Sequence, residues 1–138
     1  MAADCIFCKI IAGHIPAMKV YEDADSIAFL DVGPLADGHT LLVPRQHFAT
    51  IAEIPPAVLG ACAAQLPRLA AAILQATAAE GVNILQNNGS AAGQVVQHVH
   101  IHLIPRRVGD GLGFRWNAGK YPPGRGEELS RSISAALS

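Results

Sequence analysis

Gln97-His98-Val99-His100-Ile101-His102-Leu103-Ile104-Pro105 sets three histidines at alternate positions, with aliphatic residues between them. In an extended strand successive side chains point to opposite faces. The three imidazoles then share one face, and Val99, Ile101 and Leu103 share the other. The alternation predicts a strand over Gln97–Ile104 whose aliphatic side enters a core. Imidazoles pack less well than valine and carry nitrogens that must find partners, so a row of them points to chemistry rather than to packing. Same-face neighbours on a strand lie about 6.6 Å apart, and the outer pair about 13 Å. A tetrahedral zinc holds its ligand atoms at about 2.1–2.3 Å. One ion therefore takes one or two of these histidines, and a three-histidine centre on this strand alone is excluded. The row must divide its labour.

Working outward, two more strands are predicted at Val82–Gln86 and, after the Gly-Pro and Asp-Gly punctuation at 33–38, at Thr40–Pro44. Met18–Glu22 and Ser26–Leu30 read as a pair of short strands joined by the turn Asp23-Ala24-Asp25. Cys5–Ile11 reads as one or two helical turns stopped at Gly13. A long helical region is expected from about Pro56 to Glu80, closed by Gly81. Its seam is Leu59, Cys62, Leu66, Leu69 and Ile73, recurring at intervals of three and four. Pro67 would cost about 3 kcal/mol inside that helix, so either the helix kinks or two helices meet there. Cys62 reads as a small core residue. A weak helix is expected near Glu127–Ala136 in a Gly- and Pro-rich tail.

The chain has 138 residues, 51% hydrophobic and 15% charged, with a formal charge of −1. These values fit one globular α+β domain over 1–138, with its core at about 5–116 and a tail at 117–138. The charge balance offers no footprint for nucleic-acid backbone. No stretch reads as apolar for long enough to span a bilayer, and Met1-Ala2-Ala3-Asp4 has no basic region before an apolar one. The expectations are therefore a cytoplasmic protein with no nucleic-acid or membrane partner. Three cysteines do not make an extracellular disulfide framework.

His98-Val99-His100-Ile101-His102-Leu103-Ile104 resembles the signature of the histidine triad (HIT) family of nucleotide hydrolases and transferases. The likeness continues in family order through Cys5-Ile6-Phe7-Cys8, Ile15-Pro16-Ala17, Ala28-Phe29-Leu30-Asp31, Gly38-His39-Thr40, Asn87-Asn88-Gly89 and Gly93-Gln94. Gly109-Asp110-Gly111 and Trp116 are similar to the tail of the bacterial Hint-like branch. The resemblance implies a HIT-like α+β fold: about five antiparallel strands, one long helix and a short N-terminal helix, assembled as a homodimer. It implies that His100 attacks the α-phosphorus of a nucleotide, with His102 and His39 flanking the phosphate. Imidazole suits that role, because its reference pKa near 6.5 leaves a lone pair available at pH 7.

By the same resemblance, Asp31 meets the ribose hydroxyls, with Val32 and Ile6 or Phe7 near a purine base. The loop from Asn87 through Gly93 and Gln94 to Val95 would cradle phosphate, since glycines let backbone N–H groups approach an anion. The implied substrates are nucleoside phosphoramidates or related nucleotide conjugates. A dinucleoside polyphosphate hydrolase or phosphorylase, or a nucleotide-binding interaction module, are the alternatives, and no organic cofactor is implied. Two positions depart from the family pattern. Val95 stands where hydrolytic members often have a hydroxyl thought to assist the leaving group, and Gln97 replaces a more usual aromatic or apolar residue.

Cys5-x-x-Cys8 offers two thiolates to one ion, and His47 with His98 would complete a closed Cys₂His₂ set. Some family members hold a structural zinc in this way. The alternatives are two reduced structural thiols or a redox pair. A redox CxxC normally follows a strand, which the residues before Cys5 do not supply.

Overall fold

The computed structural model describes residues 2–113 and 117–137; Trp116 lies outside them. Five strands form one antiparallel sheet: β1 (Lys19–Glu22), β2 (Ser26–Leu30), β3 (Thr40–Pro44), β4 (Gly81–Leu85) and β5 (Ile101–Arg106), in the spatial order β1-β2-β3-β5-β4. The helices are α1 (Ile6–Ile11), α2 (Pro56–Ala63), α3 (Leu66–Thr77) and α4 (Arg125–Ala136). The expected α+β architecture is present.

Alternation divides the core into two layers. Ile27 and Phe29 of β2, with Leu41 and Val43 of β3, face α1 and its Phe7 and Ile10. Ala28, Leu42, Ile101 and Leu103 face the opposite way, against Cys62, Leu69 and Ile73. Leu42 and Leu103 are fully buried, and truncating either to alanine should cost about 2–5 kcal/mol. Across the α1 side the register aligns Phe29 with Leu41 and Leu41 with His102. An imidazole thus continues an apolar row.

β2 and β3 fall where expected, whereas β5 does not. It begins at Ile101, not at residue 97, and runs to Arg106. His98 and His100 precede the ladder because the Val99 N–H is taken by Phe48 O at 2.8 Å, in a loop rather than a strand. Leaving the ladder lets His98 turn toward the N-terminal cysteines.

The long helical region is interrupted at Ala64-Gln65, and Pro67 falls in the first turn of α3, where its missing N–H costs no hydrogen bond. Both residues of the break keep right-handed helical backbone angles. The region ends at Thr77, earlier than Glu80, because Ala78 turns left-handed at φ 53°. Burial pushes the Cys62 thiol up to about 12, as befits a small core residue. One expectation needs correction. The helical run Pro56–Thr77, 22 residues long, is long and apolar enough by length and composition to cross a bilayer. It is rich in alanine and has Arg68 as its sole charged residue, and it turns Cys62, Leu69 and Ile73 onto the sheet.

Gly38 closes the approach to β3. Its φ of +94° suits glycine, and a Cβ there would lie 2.6 Å from Thr77 Cγ2. The tight contact with α3 holds the start of β3, and with it His39, against the sheet.

Candidate active site

His100 is almost wholly buried and lines a cavity of about 400 Å³ on the α1 side of the sheet. Its Nδ1 lies 2.7 Å from the carbonyl oxygen of His98. A carbonyl only accepts, so Nδ1 carries the proton and Nε2 keeps a lone pair. The edge-on ring of Phe7, 5.0 Å away between centroids, fixes the imidazole plane. His100 thereby presents one unprotonated ring nitrogen, the form in which an imidazole can act as base or nucleophile.

His102 receives the opposite tautomer. The Leu35 N–H donates to His39 Nδ1 at 3.1 Å, so the proton of His39 sits on Nε2. That Nε2 is 2.9 Å from His102 Nδ1 and donates to it. His102 is left with its proton on Nε2, as a hydrogen-bond donor. Burial pushes His102 down to about 4, with His100 and His39 adding to the effect. Burial also lowers His39 against the pull of Asp31. Both shifts favour the neutral rings that this pair of hydrogen bonds requires.

His39 differs from its sequence reading. It is not on the cavity wall but stands behind His102, with Asp31 Oδ2 at 3.6 Å from its Nε2. Its ring meets the cavity-lining His102 at 2.9 Å. Asp31 does line the cavity. Its Oδ1 accepts from the Gly33 N–H at 2.8 Å, which orients the carboxylate at the end of β2.

Of the remaining expected residues, Ile6, Phe7, Val32, Asn87, Gly93 and Val95 line the cavity. The side chain of Gln94 does not. It is buried, its Nε2 donates to Ala49 O and Val96 O, and its Oε1 accepts from the Gly89 N–H at 2.7 Å. Every polar atom of that amide is spent holding the loop in shape. Asn88 does similar work, accepting from the Ile51 N–H at 2.7 Å. Sequence reading missed the apolar wall made by Ile10, Ile15, Ala17, Phe29, Leu41 and Val96. Phe29 and Leu41 carried a usable signal, because strand alternation places them on the face of His102. The polarising groups at Pro44 O, His98 O and Leu35 N–H are main chain, and no side-chain identity announces them.

The second cluster joins Cys5, Cys8, His47 and His98, whose ligand atoms all lie within 4.8 Å of one another. Cys5 Sγ is 3.4 Å from His98 Nδ1, and Cys8 Sγ is 3.4 Å from His47 Nδ1 and 3.6 Å from His98 Nδ1. The two Nδ1 atoms are 3.1 Å apart. A tetrahedron of nitrogen and sulfur ligands at about 2.1–2.3 Å from its centre has edges of about 3.4–3.8 Å, close to these values. His98 Nε2 lies 2.8 Å from Pro44 O, so it bears the proton and Nδ1 faces the thiols with a lone pair. The donor set fits zinc with no ligand position left open. All three cysteines are unpaired.

The HIT domain family profile matches residues 12–109. The adenosine 5'-monophosphoramidase hnt1 of Schizosaccharomyces pombe is 41% identical over 134 residues, 96% of this chain and 98% of that protein. The adenylylsulfatase HINT3 of Arabidopsis thaliana is 48% identical over 109 residues, 79% of this chain but 55% of that longer protein. The crystal structure of a HIT family member from Bacillus subtilis superposes with a TM-score of 0.91 at 42% identity, covering 98% of each chain. A zinc-bound histidine triad family protein from Mycobacterium smegmatis superposes at 0.76 with 39% identity, covering 97% of this chain and 95% of that one.

Proposed function

The chain belongs to the HIT family and is a hydrolase of that family, and from this premise we propose that it cleaves purine nucleoside 5'-phosphoramidates and related nucleotide conjugates at the α-phosphate. The observation that carries the reading is the His100 Nδ1–H bond to His98 O, which leaves Nε2 as a lone pair in an apolar cavity. The cavity divides the substrate by chemistry. Its apolar wall at Ile15, Ala17, Phe29 and Leu41 suits a base, and Asp31 offers acceptors to ribose hydroxyls.

His100 Nε2 attacks phosphorus while the bond to the leaving nitrogen breaks, and that nitrogen takes the electron pair and a proton from water. His102 Nε2–H donates to the charge that gathers on the phosphoryl oxygens. Water then attacks the nucleotidyl-His100, releasing the nucleoside monophosphate and the free imidazole. The fixed donors need little rearrangement between the two steps.

Zinc is proposed on Cys5, Cys8, His47 and His98, supported by their spacing and by the zinc-bound relative. It would tie the N-terminal turn to the segment before β5 and supply no chemistry to the cavity. A homodimer is proposed through the edge strand β4, whose Ile84 and Leu85 are exposed.

Parallel assays of adenosine 5'-phosphoramidate and diadenosine tetraphosphate test the substrate class. The phosphoramidate should be turned over faster. Preferential cleavage of the tetraphosphate would move the protein to the polyphosphate hydrolases, and tight nucleotide binding without turnover of either would make it a binding module.

A further inference from the structure

The main cavity is flanked by two others. One adjoins its ribose side, sharing Leu30, Asp31 and Val32. The other, of about 420 Å³, adjoins the phosphate side and shares Ile6, Val95 and Val96. Its remaining wall includes Ala2, Asp4, His47 and Gln97.

The direction of the reaction selects between them. His100 is buried at the inner wall, so it approaches phosphorus from within, and an in-line displacement sends the departing group the opposite way, toward the mouth. The mouth beside the Asn87–Gly93 loop is rimmed by Val95, 89% exposed and common to both cavities. A leaving group that clears Val95 enters the cavity of Asp4 and Gln97.

The polar side chains there are Asp4, Cys5, His47 and Gln97. Gln97 is exposed and donates its Nε2 to Gln94 O at 3.3 Å, so its amide has an acceptor oxygen that this bond does not use. Asp4 presents an exposed carboxylate. His47 turns its Nδ1 to Cys8 and His98. Among the described residues, no lysine or arginine lines this cavity. We propose that this cavity is the leaving-group subsite and that Asp4 and Gln97 select a leaving amine bearing a second, positively charged nitrogen. The proposal rests on the phosphoramidase reading above. It also gives the two departures a shared purpose: Val95 is an apolar sill, and Gln97 is an acceptor beyond it.

Two adenosine phosphoramidates of equal length test it, one made from cadaverine with a terminal ammonium, the other from hexylamine with a terminal methyl. Wild type should favour the cadaverine conjugate by about threefold in kcat/KM, since an exposed carboxylate contributes modestly, and high salt should shrink the ratio. Asp4→Asn should bring the ratio near one, and Asp4→Lys should invert it. Dissociation constants of both conjugates on His100→Ala, with and without Asp4→Lys, read the subsite without turnover. Equal affinities that Asp4→Lys leaves equal would overturn the subsite even if both conjugates are cleaved. If neither is cleaved but affinity follows the charge at position 4, the subsite stands and the reaction assignment fails.

Discussion

Two histidine clusters lie one at each end of the same short segment, and by distance alone either could hold a metal ion. Cys5, Cys8, His47 and His98 converge at one end, and Asp31, His39 and His102 at the other. They differ in which ring atoms face inward. At His98 the proton is drawn to Nε2 by Pro44 O, so a lone pair points into the cluster. At His39 the Leu35 N–H occupies Nδ1, so an N–H points into the cluster and finds His102 Nδ1 at 2.9 Å. The first arrangement is ready for an ion. The second is a satisfied hydrogen bond, and a metal there would have to strip a proton from an imidazole whose other nitrogen already accepts. Proximity of ligand-type residues does not make a metal site; the outer hydrogen bond decides.

The largest expected effect falls between the two clusters. His100→Ala should lower kcat by at least about 10³-fold, since the covalent step has no substitute nucleophile. Nucleotide should still bind. Mass spectrometry of acid-quenched wild type should find the nucleotidyl adduct on His100, and an adduct on His98 or His102 would erase the division of labour just drawn.

Metal analysis of protein purified without added metal should find about one zinc per chain, because in the second cluster the His39 N–H already occupies the lone pair of His102. Cys8→Ser should abolish that zinc and lower Tm by about 5 °C or more, with a smaller effect on the rate of the folded enzyme. Two zinc ions per chain, or none with melting indifferent to chelators, would break the contrast from either side.

His39→Gln sharpens it further. Losing the relay should cost about 10–100-fold in kcat, the usual scale for a group that orients another, while zinc content stays at the wild-type value. A fall in zinc on this substitution would mean that the second cluster binds metal after all.

The smallest effect concerns the mouth. Val95 supplies no proton to a departing group. Val95→Ser should speed poor leaving groups by a few-fold more than good ones, a fraction of the roughly 10²–10⁴-fold that full acid assistance can give. The check is kcat/KM across a leaving-group pKa series. Equal slopes for both proteins would assign the proton to water or to His102.

Much of the frame was legible in the chain. β2 and β3 lie where the turn residues at 23–25 and 33–38 bound them, because such punctuation marks strand ends whatever the neighbouring strand. The start of β5 was not, because a hydrogen bond from Val99 to the distant Phe48 ends the ladder three residues after His98. That Gln94 and His39 stand off the wall of the main cavity was not legible for a related reason. Residue type shows that an amide or an imidazole has hydrogen-bonding capacity, but Ala49 O, Val96 O and the Gly89 N–H consume that of Gln94, and Leu35 and His102 that of His39.

By itself the sequence determined the approximate places of the strands, the aliphatic reverse of β5 at Ile101 and Leu103, and the candidate zinc ligands, since each follows from side-chain identity at a fixed spacing. Only the tertiary structure decided what each histidine offers. Pro44 O leaves a lone pair on His98 Nδ1, His98 O leaves one on His100 Nε2, and the Leu35 N–H, acting through His39, leaves the proton of His102 on Nε2. Those three assignments rest on backbone carbonyls and amides, which every residue carries alike and which only folding brings to particular rings.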